Sequence, residues 1–110
     1  MLKVININGK DMELRSSAAT PMIYKAQFHS DFFGDVVKMG KVFDGISGDE
    51  MPDDIDMDVI YHIVWALAKN AHKDIGDVIT YFAQFDEFPI KEIADVLSTL
   101  IESMFKVSKK

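Results

Sequence analysis

The sequence contains no cysteine. Disulfides and thiolate metal sites are therefore excluded, and a reducing compartment suits the chain. Proline occurs three times and glycine six, too few for a low-complexity or fibrous polypeptide. No stretch approaches the roughly 18–20 apolar residues that a membrane-spanning helix needs. The chain does not open on a Lys/Arg-led apolar run ending in a small-residue cleavage site, so no secretory signal is expected. Basic charge is also scarce, with 12 Lys+Arg against 18 Asp+Glu and a formal net charge of −6. Binding to a duplex needs Lys and Arg to neutralise phosphates, so neither nucleic acid nor a membrane is an expected partner. Only Lys106 to Lys110 is locally basic, which reads as a solvated terminus.

Apolar residues make up 48% and charged residues 27% of the 110 positions, enough for one hydrophobic core without staples. The expectation is a single cytoplasmic domain over 1–110. Residues 1–15 read as a β-hairpin. Ile5 and Ile7 alternate with Asn6 and Asn8, and Met12 and Leu14 alternate with Asp11, Glu13 and Arg15. Asn8-Gly9 between them is the favoured two-residue type I′ turn, whose central positions both need φ > 0. Ile5, Ile7, Met12 and Leu14 then share one face. A lone hairpin is marginal in water, so that face must rest on another element.

Ser16 to Ala19 is a short linker. Two helices are expected over 20–44. Thr20 serves as N-cap and Pro21 as first helical residue for one that runs to about His29. Ser30-Asp31 caps the next, with Phe32, Phe33, Val36, Val37, Met39 and Phe43 at helical spacing. Residues 45–55 form an acidic loop containing Gly45, Gly48 and Pro52. A three-helix region spans 56–106, followed by a tail at 107–110. Its first helix, Asp56 to Asn70, carries Ile60, Ile63, Val64, Leu67, Ala68 and Ala71 on one stripe. Met57, Tyr61 and Trp65 form a second, so apolar side chains cover over half the wheel and the helix is central or packs on two sides. Next comes Ile75 to Phe85, with Ile75, Val78, Ile79 and Phe82 facing the core and Tyr81, Phe85 and Phe88 flanking. Pro89 opens the last helix, about 90–106, where Ile90, Ile93, Ala94, Leu97, Leu100, Ile101, Met104 and Phe105 share one side. The fold class is mainly α, in the α+β sense: a hairpin followed by about five helices.

No assembled chemistry emerges. The acidic run Asp53 to Asp58 resembles half of a calcium loop. Counted from Asp54, however, Val59 stands where glycine is required and Trp65 where the bidentate glutamate is required. Those carboxylates instead suit the positive end of a helix dipole. His29, His62 and His72 form no His-x-x-x-His pair, and His62 reads as a polar-face residue. There is no Gly-x-Ser-x-Gly and no glycine loop ending in Gly-Lys-Ser/Thr. Pairs such as Asp86-Glu87 have nothing to place them in a pocket. No catalytic residue, metal or cofactor is assigned, and the chain is not expected to be an enzyme. Seven methionines and eight phenylalanines are the suggestive excess, because Met and Phe are common at adaptable binding surfaces. Side chains beyond the needs of one core face are candidates for partner contact. They are Tyr61, Trp65, Tyr81, Phe85 and Phe88, together with Met104 and Phe105.

Three blocks, in order, resemble the tail assembly chaperones of long-tailed phages (siphophages) and prophages of Gram-positive bacteria. The first is Ile7-Asn8-Gly9-Lys10 followed by Glu13 to Pro21, Tyr24-Lys25 and Phe28. The second is Trp65 to Ala71. The third is Phe82 to Asp86 with Phe88-Pro89-Ile90. The resemblance implies a cytoplasmic protein of the bacterial host that coats the tape measure protein until tail tube subunits replace it, and that is absent from the mature virion. It also implies self-association and a longer frameshifted form of the same chain. The stretch Asp44 to Asp54 departs from the family, whose middle loop varies. An alternative class is a small acidic helical adaptor or inhibitor, similar to an antitoxin or anti-repressor, for which the negative charge is suited.

Overall fold

The computed structural model describes residues 1–45 and 57–105, with side chains described for 1–41 and 57–105. The expected acidic loop at 45–55 falls almost wholly outside the described residues. So do Asp56 at the expected helix start, the side chain of Phe43, Lys106, and the tail at 107–110.

Strands β1 (Leu2–Ile7) and β2 (Lys10–Arg15) pair antiparallel, with Ile5 opposite Met12 and Ile7 opposite Lys10. Asn8 (φ 52°) and Gly9 (φ 88°) both take positive φ, as a type I′ turn requires. The Gly9 amide also donates to Asn6 Oδ1 at 3.1 Å. The period-two pattern then places Ile5, Ile7, Met12 and Leu14 on the inner face, all buried.

Among the described residues, five helices follow the hairpin: α1 (Thr20–Phe28), α2 (Phe32–Gly45), α3 (Met57–Ala71), α4 (Val78–Ala83) and α5 (Ile90–Met104). Helix α3 is the centre of the fold and packs against β2, α1, α2 and α4. Every side chain from Ile63 to Ala68 is buried, together with Val59 and Ile60. Helix α5 closes the other side of the hairpin against β1, burying Ile93, Leu97, Leu100 and Ile101. Burial of each such aliphatic side chain contributes about 1.5–3 kcal/mol. No helix among the described residues is long and apolar enough to cross a membrane.

Three local expectations are corrected. Thr20 is not the N-cap of α1; Ala19 occupies that position with no side-chain cap. The Thr20 hydroxyl turns back to accept the Ser17 amide at 3.1 Å, and the Ser17 hydroxyl accepts the Ala19 amide at 3.1 Å. The linker thus caps itself, and Asn70 Nδ2 at the end of α3 pins it by donating to Arg15 O at 3.1 Å and Ser17 Oγ at 2.9 Å.

His62 is not simply a polar-face residue. Its ring lies on Phe28 with centroids 4.0 Å apart and planes 11° apart.

Helix α4 begins at Val78 rather than Ile75. Gly76 has φ +80°, its carbonyl is held by Trp65 Nε1 at 3.2 Å, and Asp77 caps the helix by accepting the Thr80 amide at 2.8 Å. Within α4 the inward side chains are Val78, Tyr81 and Phe82. Ile79, expected in the core, is 80% exposed, while Tyr81 is buried. Gly76 is constrained twice: a side chain there meets positive φ, and its Cβ would lie 3.2 Å from Thr80 Cγ2. Gly76→Ala is therefore expected to lower unfolding free energy by about 1–3 kcal/mol in urea denaturation.

Helices α1 and α2 are joined by a buried polar clip. Asp31 Oδ2 accepts the Gly34 amide at 2.8 Å and caps α2. One turn on, the buried Asp35 accepts the Tyr24 hydroxyl at 2.5 Å and the Ser30 hydroxyl at 2.8 Å. His29 reverses the chain between the helices in the left-handed region, φ 55°.

Candidate functional site

The structure divides the seven expected contact residues. Trp65 is 3% exposed and Tyr81 5% exposed. Trp65 stands edge-on to Phe28 with centroids 5.6 Å apart. The indole N–H is committed to Gly76, so Trp65 is a structural bolt between α3 and the α3–α4 turn. The surplus assigned to these two side chains on the wheel is used up inside the fold: α3, which carries Trp65, has partners on several sides, and Tyr81 is the buried residue of α4.

Tyr61, Phe85 and Phe88 are half-buried; Tyr61 and Phe88 meet at Phe82, and Phe85 joins them through Tyr81. Tyr61 packs on Phe88 at 4.3 Å and edge-on to Phe82 at 5.0 Å, and Phe85 meets Tyr81 at 5.4 Å. These rings form an aromatic ridge along α3, α4 and the α4–α5 loop. A shallow hollow of about 390 Å³ beside it is lined by Tyr61, His62, Val78, Ile79 and Phe82. Ile79 stands on the rim, so its expulsion from the core adds apolar surface at the ridge.

Met104 is half-buried and Phe105, which caps the end of α5, is exposed. Phe105 does not join the ridge residues; its ring packs on Phe33 of α2 at 5.0 Å. Phe33 is 49%, Val37 60% and Phe105 40% exposed. Phe33 and Val37 are one helical turn apart, so the three build a continuous apolar patch across α2 and the α5 terminus. Phe33 and Val37 were expected at core spacing. The sequence does carry the distinguishing mark: Phe32-Phe33 and Val36-Val37 are doublets, and adjacent helical residues point about 100° apart. Phe32, Val36 and Met39 take the inward positions, which leaves the second member of each pair outside.

The polar chemistry lies elsewhere. Among the described residues no three His, Asp or Glu side chains are grouped to hold a metal ion. Burial of Tyr81 beside the Glu13 carboxylate pushes its phenol up to about 12, burial being the larger cause. A folded value above the unfolded one near 10 means that this stability is fully present below pH 10 and is lost as pH rises toward 12. Tyrosinate absorbance in an alkaline titration is expected to show one late-ionising component, and Tyr81→Phe to remove it. At the start of α4, the Thr80 side chain and then its amide hold the Asp77 carboxyl below the usual carboxylate range.

No family model, curated protein or solved structure matches the chain.

Proposed function

We propose that this chain is a phage tail assembly chaperone that binds and solubilises the tape measure protein during tail morphogenesis. The observation that carries the proposal is the exposed apolar patch of Phe33, Val37 and Phe105. A side chain as large as Phe left half in water on a folded domain marks a contact surface for another polypeptide. The ordered resemblance over three blocks names the client class. The mechanism is reversible burial of apolar segments of the client against this patch, with no covalent chemistry.

The aromatic ridge around Tyr61, Phe82 and Phe88, with Ile79 at its rim, supplies further apolar surface on different elements. A chaperone that coats a long client needs many copies, and the ridge suits contact between neighbouring copies. Self-association, exchange for tail tube protein and a longer frameshifted form belong to the same proposal. So do residence in the cytoplasm of a bacterial host and absence from the mature virion. The net charge of −6 favours a second reading, a small acidic adaptor or inhibitor of another protein.

Affinity capture distinguishes the two. The tagged chain is expected to retain the product of the adjacent long helical reading frame, and the neighbouring genes are expected to encode tail components. Capture of a toxin or repressor encoded next door, with no retention of a tape measure fragment, would place the chain in the second class.

A further inference from the structure

A separate cleft of about 700 Å³ lies between the hairpin turn and the α3–α4 corner. Its walls combine Asp11 and Glu13 of β2, His72 and Asp74 beyond α3, and Tyr81 of α4. Lys10 is the only Lys or Arg among the lining residues, so carboxylates are in excess.

The acidic walls alone do not define a ligand, but Tyr81 adds an independent constraint. Its side chain is 95% buried, given an exposure of 5%, yet its hydroxyl has no hydrogen-bond partner among the described residues. No buried side-chain polar atom of the described residues lacks a partner, so this hydroxyl is reached by solvent, and Tyr81 lines the cleft. It is held close enough to Glu13 for that carboxylate to disfavour its ionisation. Glu13 itself spends only Oε1, on His72 Nε2 at 2.7 Å, leaving Oε2 available. The cleft therefore offers a phenol oxygen and a carboxylate oxygen as acceptors within net negative walls.

We infer that this cleft binds a guanidinium group, the side chain of an arginine carried by a partner polypeptide. A guanidinium has five N–H donors in a planar fork, no acceptor and a permanent charge. It can reach acceptors spread over several ångströms, which suits walls whose carboxylates do not converge tightly enough for a metal ion. The site is independent of the apolar patch and of the identity of the client. It would add register to apolar contacts that by themselves carry none.

The test is an amide-shift NMR titration of the full chain with N-acetyl-arginine methylamide, and with the neutral isostere N-acetyl-citrulline methylamide. Saturable shifts are expected at Gly9, Asp11, Thr80 and Gln84 with the arginine probe, with binding at least ~10-fold weaker for citrulline, as loss of a charge-assisted contact implies. Glu13→Gln is expected to weaken the arginine probe by a similar factor. Tyr81→Phe, which keeps the ring that packs on Phe82 and Phe85, is expected to weaken it by ~3- to 10-fold. Unsaturable or scattered shifts, equal binding of citrulline, or wild-type affinity in both variants would overturn the inference. The comparison of the two probes on the unmodified chain decides the matter even if a variant fails to fold.

Discussion

Trp65→Ala is expected to destabilise the fold by about 3–5 kcal/mol, the range for emptying a buried aromatic site. The indole is 3% exposed, stands edge-on to Phe28 and donates to Gly76 O at 3.2 Å. Its removal leaves a cavity between α1 and α3 and frees the Gly76 carbonyl that fixes where α4 starts. For a domain whose total stability is on the order of 5–15 kcal/mol, this is a large fraction, and a fall in Tm of roughly 15–25 °C follows. Trp65→Phe separates the two contributions. It keeps an aromatic ring and loses the N–H, so it is expected to cost less than half as much. Guanidinium denaturation of the two variants checks the order. A Trp65→Ala protein as stable as the parent, with reduced client binding, would return Trp65 to the contact surface.

Substitution of Phe33 and Phe105 by serine is expected to do the opposite. Both rings are substantially solvent-exposed, and their main apolar contact with each other is at 5.0 Å. Exposed positions usually change stability by no more than about 0.5 kcal/mol, and loss of one ring pair adds about 0.5–1.5 kcal/mol. The fold should therefore survive with a small loss. Binding should not: truncation of an aromatic anchor at an interface costs about 2 kcal/mol or more, which is about 30-fold in affinity. Val37→Ser, at the patch edge, should fall between the single-ring variants and the parent. Fluorescence anisotropy with a labelled client segment, alongside thermal melts of each variant, reads both quantities.

The parts of this fold that were legible in the sequence are those fixed by local rules. Asn8-Gly9 set the hairpin and its register, and through period two it set the buried face of Ile5, Ile7, Met12 and Leu14. The clean wheel of α5 set its inward row. The failures come where a distant group overrides a local preference. Periodicity alone cannot see that Trp65 holds the Gly76 carbonyl, and so the start of α4 and the inward turn of Tyr81 were misplaced by its wheel. Thr20 has the side chain of an N-cap, but Ser17 and Asn70 draw it into the linker instead.

The candidate site follows the same division. An apolar surplus was visible from the count of Phe and Met, but its location depends on what covers each helix. Helix α3 is surrounded, so Trp65 is consumed by the core. Phe33 and Val37 on α2 remain exposed among the described residues, so they are not. The polar residues of the resembling blocks also have structural work: Asn70, Ser17 and Thr20 tie the linker to α3, and Ser16 Oγ meets Ser103 Oγ of α5 at 2.7 Å. Those blocks describe how the domain is held together, whereas the exposed patch lies largely outside them.

The soluble fraction of a co-expressed tape measure protein tests the central claim most directly. The parent chain is expected to raise that fraction severalfold over the client alone, and the Phe33→Ser/Phe105→Ser double variant, folded by circular dichroism, to leave it near the level without chaperone. A client that stays insoluble with the parent chain, or that the double variant rescues equally well, would contradict the account.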